Sequence, residues 1–281
     1  MSLGRDSLRS SALVIQPTSG WAPLNLSAIW EHRELLYFLT WRDIKIRYKQ
    51  TLLGVAWAVI QPLLMIFVFT LFFGRLAAIP SDGLPYPVFV LTGLLPWQLF
   101  SRALTDASTS LVVNERLITK VYFPRLLVPA SAVLASLVDF AIAFVLLVTM
   151  MFFYGIVPTA AVTILPAFIL LALMIALGIG FWLSALDALY RDVRYTLPFL
   201  TQIWMFATPI VYPASLVPQE WRWFYGLNPM TGVVEGFRWA LLGKVGAVEP
   251  MIAISVVAVF AVFLGGLCFF QHMERTIADL V

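Results

Sequence analysis

From residue 52 to residue 270 the chain is a series of long apolar stretches, with most of its charge confined to the connections between them. An α-helix needs about 20 mainly apolar residues to cross a bilayer core roughly 30 Å thick. Stretches of this kind fall near 52–73, 87–113, 127–153, 161–186, 197–212 and 249–270. The fifth is short. The second is long and holds Pro96, which is expected to kink it or to separate a re-entrant start. The chain is 61% apolar and 12% charged, where a soluble domain carries about 25% charge. That is too little charge to cover a water-facing surface, and far too much hydrophobicity for disorder. The expected fold is therefore an all-α polytopic membrane protein with six transmembrane helices.

The basic residues fix the expected orientation. One set of connections holds Arg5, Arg9, Arg33, Arg42, Lys45, Arg47, Lys49, Arg116, Lys120, Arg125, Arg191, Arg194 and Arg275. The alternate set holds only Arg75, Arg222, Arg238 and Lys244, and Arg102 lies within a span. Lysine and arginine gather on the cytoplasmic side, so both termini are expected there. The same bias explains the net charge of +3 without invoking nucleic acid. Residues 1–26 lack the apolar core of a signal peptide. The lone Cys268 permits no intrachain disulfide and is expected to be a buried thiol. His32 and His272 have no neighbours at metal-ligand spacing. No internal repeat is visible, so residues 1–50 read as an N-terminal segment and 51–281 as one membrane domain.

Residues 27–50 form a candidate interfacial helix, with Ser27 as N-cap and Glu31 and Glu34 in its first turns. Trp30, Tyr37, Trp41, Ile44 and Tyr48 make one helical stripe flanked by Arg42, Lys45, Arg47 and Lys49. Such a stripe suits the lipid headgroup layer. Leu35, Leu36 and Leu39 point elsewhere, so part of this helix is expected to pack on protein.

The second span has a polar arc of Gln98, Arg102, Thr105 and Thr109, with Asp106 at its edge and Ser101 and Ser108 beyond. That face must look at protein or water rather than lipid. It either lines a path for a polar substrate or holds a structural ion pair, Arg102 with Asp106 or with Asp139 of the third span. Past the fifth span, Asn228-Pro229 is a good helix start and Gly243 a good stop. A helix over residues 229–242 would be about 21 Å long, too short to span, so it is re-entrant or interfacial. Glu235 and Arg238 can pair on it, and Trp221, Trp223, Tyr225 and Trp239 suit a membrane boundary.

The sequence contains no G-x-x-x-x-G-K-[ST] loop, G-x-S-x-G elbow or H-E-x-x-H pair. It shows no candidate catalytic residue. An ion-coupled secondary transporter and a membrane-embedded transferase remain alternatives to a driven exporter, but the spans carry no His or Glu series for a proton relay.

The run Arg42-Asp43-Ile44-Lys45-Ile46-Arg47-Tyr48-Lys49-Gln50-Thr51-Leu52-Leu53-Gly54 is followed by Trp57 and Gln61-Pro62. Further on come Gly93-Leu94-Leu95-Pro96-Trp97, Tyr122-Phe123-Pro124, Tyr190-Arg191-Asp192-Val193-Arg194-Tyr195 and Leu227-Asn228-Pro229-Met230. This ordered set, over about residues 27–270, resembles the ABC-2 type permeases that export O-antigen, capsular polysaccharide or teichoic acid. The resemblance implies a multi-pass protein of the bacterial inner membrane. It would work as a homodimer with two separate ATP-binding cassette subunits, which hold ATP and Mg, so that this chain binds no cofactor itself. The substrate would be an undecaprenyl-linked polysaccharide, O-antigen first, moved to the periplasm through a channel at the dimer interface; a drug or lipid exporter of the same fold is the alternative. The 114–126 connection would couple to the ATPase through Glu115, Arg116, Lys120, Tyr122 and Arg125. Trp221, Asn228, Pro229, Glu235 and Arg238 would belong to a periplasmic gate of two short helices. Trp57, Gln61, Trp97, Arg102, Asp106, Trp204 and Phe206 are the candidate channel-lining residues.

Overall fold

The computed structural model describes residues 30–49, 56–243 and 249–280. Ser27 and the Gln50–Gly54 part of the family-like run lie outside them. The described chain is helical. The first helix, α1, runs Arg33–Lys49, and α2 runs Ala56–Phe69 before loosening into a π-helical turn over Thr70–Leu76. Helix α3 spans Tyr86–Val113, α4 is the short Glu115–Ile118, and α5 spans Leu127–Phe153. Helices α6 (Leu165–Leu189) and α7 (Val193–Ala207) follow. The short α8 (Arg222–Leu227) and α9 (Pro229–Leu242) precede the last helix, α10 (Glu249–Leu280).

Five of these helical segments are long and apolar enough to cross a membrane: those at 56–76, 86–113, 127–153, 160–189 and 250–273. The expected fifth span does not continue as a helix to residue 212. Helix α7 has 15 residues, about 22 Å of rise, and then the chain turns extended at Thr208 (φ −104°, ψ 140°). Pro209 is the cause, because a proline disfavours helical geometry in the residue before it. Pro96, by contrast, neither breaks α3 nor separates a re-entrant piece. Residues 88–97 are all buried in protein, where packing on every side holds the helix through its missing N–H.

Helix α3 is the hub. It packs extensively on α6 and α5, and also touches α2, α7 and α9. The larger apolar core surrounds it, with Val88, Phe89, Leu91, Leu94 and Phe100 essentially inaccessible. A second core lies at one end of the bundle. There Leu39 of α1 meets Leu111, Ile118, Phe123, Leu127, Phe181 and Phe270. Leu35 and Leu36 pack beside them, so the leucine face of α1 lies on protein. This end gathers α1, the 114–126 connection and the α6–α7 turn, the segments that carry most of the basic residues. It is called the basic end below, and the opposite end the far end.

Helices α6 and α10 meet backbone to backbone. A Cβ on Gly266 would fall 1.9 Å from the Gly178 carbonyl oxygen, and one on Gly178 would fall 2.7 Å from the Phe263 Cα. In lipid, where apolar side chains gain little from leaving their surroundings, such close approach supplies the packing energy between helices. Cys268 is exposed on the outer face of α10 and is not the buried thiol expected, because Leu267 and Phe270 take the inward positions.

Gly266→Val should push α6 and α10 apart and lower both the yield and the melting temperature of monodisperse protein in detergent. Cys268→Val on the outer face should change neither. Equal behaviour of the two variants would contradict the close helix contact.

Candidate functional site

A cavity of about 490 Å³ opens in the half of the bundle nearer the basic end, walled by α1, α2, α3, α5 and α7. Trp57 and Gln61 of α2, Gln98 and Arg102 of α3, Phe140 of α5 and Pro198 of α7 lie on its wall. The wall is thus part aromatic and aliphatic, part amide and guanidinium.

One side of the cavity is a charge cluster that joins three helices. Arg47 of α1 donates to Asp106 of α3 at 2.5 Å and to Asp139 of α5. Tyr48 also donates to Asp139. Arg102 donates through Nε to the same Asp106 oxygen, at 3.1 Å. Two cations and two carboxylates therefore balance within one network. Burial first, and then the Asp139 carboxylate, hold the Tyr48 phenol well above its usual pKa range, so it stays a donor. Farther along α1, Arg42 bonds Asp43 at 2.8 Å and Asn114 at 2.7 Å. Ser131 of α5 donates to Asp43 at 3.3 Å. Polar bonds thus fasten α1 to the start of the 114–126 connection and to the cavity wall.

The second polar centre lies toward the far end. Asn228 caps α9 by accepting from the Met230 N–H at 3.1 Å, and Gly243 closes the helix in a left-handed conformation. Helix α9 is buried along almost its whole length. Its Arg238 is 4% exposed. The guanidinium donates to Glu235 at 2.7 Å and to the carbonyls of Pro209 and Ile210, both at 2.6 Å. The Tyr86 hydroxyl takes the next carbonyl, Val211, at 2.7 Å. Three consecutive carbonyls of the non-helical stretch after α7 thereby have side-chain donors, as buried backbone requires. Arg238 also lies 3.9 Å over the Phe89 ring. Gly93 makes this possible, because a Cβ there would fall 2.7 Å from the Arg238 terminal nitrogen.

The candidate channel residues divide. Trp57, Gln61 and Arg102 lie on the cavity wall, and Asp106 stands behind Arg102. Trp97 is not on this wall: it is 4% exposed because Phe100 and Trp204 cover it, with ring centroids 5.3 and 6.1 Å away. Trp204 donates to Asn228 at 2.9 Å, tying α7 to the start of α9. Phe206 is half-exposed on the outer face of α7. Among the residues assigned to coupling, Glu115, Arg116, Lys120 and Tyr122 are exposed, and Arg125 is half-buried. Among those assigned to the gate, Trp221 is exposed, while Pro229, Glu235 and Arg238 are interior. Arg47 and Tyr48 were placed by sequence on an interfacial helix and not at the cavity. The signal that could have found them is Asp139, which has no cation within a turn of it on its own helix and needs one from another segment.

The family model described as ABC-2 type transporter matches residues 34–242. The chain is 29% identical over 251 residues to the O-antigen export system permease protein RfbA of Myxococcus xanthus, covering 88% of this chain and 95% of that protein. An RfbA permease of Klebsiella pneumoniae is 29% identical over 206 residues, covering 73% of this chain and 79% of its own length. The polysialic acid transport protein KpsM of Escherichia coli is 25% identical over 224 residues, covering 78% and 84%.

Arg47→Met leaves the partly buried Asp139 without a cation, while Asp106 keeps Arg102, and should lower the melting temperature. Adding Asp139→Asn should recover part of that loss; a double variant no more stable than the single one would deny the pairing. Arg238→Lys replaces a fork that reaches three acceptors by a point charge. It should lower the melting temperature at unchanged net charge, and Gly93→Ala should act in the same direction by displacing the same guanidinium. The effects of these two variants should be less than additive when combined.

Proposed function

The chain belongs to the ABC-2 type transporter family, and from that membership we propose that it is the membrane subunit of an ATP-driven exporter of lipid-linked polysaccharide. O-antigen is the first candidate polymer, carried from cytoplasm to periplasm. Both curated relatives from Myxococcus and Klebsiella bear the name of an O-antigen export permease. The working unit is a homodimer with two ATP-binding cassette subunits, which supply the nucleotide site that this sequence lacks.

The observation that supports this function best is the mixed wall of the cavity. Sugar rings present flat C–H faces and a rim of hydroxyls. Aromatic rings such as Trp57 can pack on the former, and the Gln61 and Gln98 amides can bond the latter. No single contact of this kind holds a unit tightly, which suits a polymer that must keep moving. Further exposed rings lie on α2 and the π-helical turn after it, at Phe67 and Phe72, and on α7, at Phe199 and Phe206. In the proposed dimer these faces meet lipid or the second copy. The basic end is then cytoplasmic, and exposed Glu115, Arg116, Lys120 and Tyr122 are available to the ATPase subunit. Fastened to that connection by Arg42 and Asn114, α1 and the cavity wall follow its movement. At the other end, α8 and α9 form the periplasmic gate.

Deleting the gene should leave polyprenyl-linked glycan inside the cell, and the wild-type chain should restore it to the surface. Export should stop on ATP depletion and survive collapse of the proton gradient. Glycan that still reaches the surface in the deletion strain would refute the assignment, and loss on collapse of the gradient alone would point to a secondary transporter.

A further inference from the structure

Polar side chains at membrane depth are ordinarily satisfied within the protein, since lipid offers no partner. On the cavity wall the hydroxyls obey this. Thr105 donates to the Ser101 carbonyl at 2.8 Å, Ser136 to Val133 at 2.6 Å and Thr201 to Pro198 at 2.9 Å. Ser101 turns back to Gln98 at 3.4 Å, and Tyr48 is held by Asp139. Arg47 engages a carboxylate with each of its terminal nitrogens. Three groups on the wall break the pattern among the described residues. The amides of Gln61 and Gln98 make no hydrogen bond, and Arg102 engages only its Nε. Both terminal nitrogens of Arg102 are left over, on a side chain that is 53% exposed. Arg102 lies 11 residues before the end of α3, about 16 Å in from the basic end.

An arginine held by Nε from behind presents its terminal nitrogens as a fixed fork, the shape that grips two oxygens of a phosphoryl group. Asp106 does the holding, and Arg47 in turn fixes Asp106. Two unpartnered amides on the same wall supply further N–H donors. We propose that Arg102, with Gln61 and Gln98, forms a binding site for a phosphoryl oxyanion carried on a lipid. This rests on the export function above, since a polyprenyl-linked glycan joins its sugar to its lipid through phosphoryl groups. The site would receive that junction as the substrate enters from the basic end. A phospholipid headgroup offers the same oxyanion and is the other possible source.

The test uses the permease with its ATPase subunits in nanodiscs and two fluorescent probes: a polyprenyl diphosphate without sugar, and phosphatidylglycerol. Wild type should bind at least one probe. Arg102→Gln should weaken that binding tenfold or more, and Arg102→Lys should retain part of it, as a charge without the fork. Loss confined to the diphosphate identifies the substrate junction; loss confined to phosphatidylglycerol, or shared by both probes, identifies a lipid headgroup site; each supports the oxyanion site. Size-exclusion profiles and melting temperatures establish that each variant is folded, and Gln98→Leu gives a second variant that leaves the ion pair intact and should also weaken binding. Unchanged binding in folded Arg102→Gln overturns the proposal, as does failure of wild type to bind either probe. It is also overturned if Arg102 instead pairs with a carboxylate of the second copy, seen as dissociation of the dimer in Arg102→Gln. Wild-type glycan export in cells is scored separately, so loss of this site leaves the export assignment standing and loss of export does not count against the binding measurement.

Discussion

A bilayer interior supplies no water to hydrogen-bond a stray carbonyl or charge, and this one constraint accounts for the two polar centres of the molecule. At Thr208 the chain leaves the helix while still enclosed by protein, so the carbonyls of Pro209, Ile210 and Val211 need donors. Arg238 and Tyr86 provide them. The arginine then needs neutralising and finds Glu235 one turn away. It also needs room and finds it beside Gly93. Each residue in this set answers a requirement created by another.

The second centre follows the same logic on three separate elements. Asp106 and Asp139 come from neighbouring helices, and Arg47 reaches them both from α1. The result is more than neutralisation. It fastens a helix outside the main bundle to the wall of the cavity, and Arg42 fastens the same helix to the 114–126 connection. Helix α3 carries Gly93 near the far-end centre and Arg102 and Asp106 near the basic end. Most of its surface is buried, so it is placed to act as a stiff beam between them. A rearrangement at either end meets the same packed rod.

Much of this was legible from pattern alone. Runs of about 20 apolar residues located the five long apolar helices, but the run at 197–212 overstated a 15-residue helix that ends at Ala207. The Asn228, Pro229 and Gly243 signals located α9, because capping is a local matter of backbone geometry. The i,i+3 spacing of Glu235 and Arg238 and the i,i+4 spacing of Arg102 and Asp106 named two ion pairs. What escaped was every partnership between distant segments. Arg47 pairs across 59 and 92 residues of chain. Trp97 and Trp204 belong to one ring cluster across two helices. Periodicity shows which residues share a face but does not say what that face meets, so Cys268 was assigned to the interior.

The sequence by itself determined that the chain is a membrane-embedded helical protein of the ABC-2 kind, and where most of its long apolar helices lie. Those properties depend on local energetics: apolar area per turn, caps, prolines and the bias of basic residues. Only the tertiary structure decided which polar groups satisfy one another and which are left facing a cavity. That division follows from packing between helices far apart in the chain. It turns Arg102 from one of a paired set of charges into a cation whose two terminal nitrogens have no partner among the described residues.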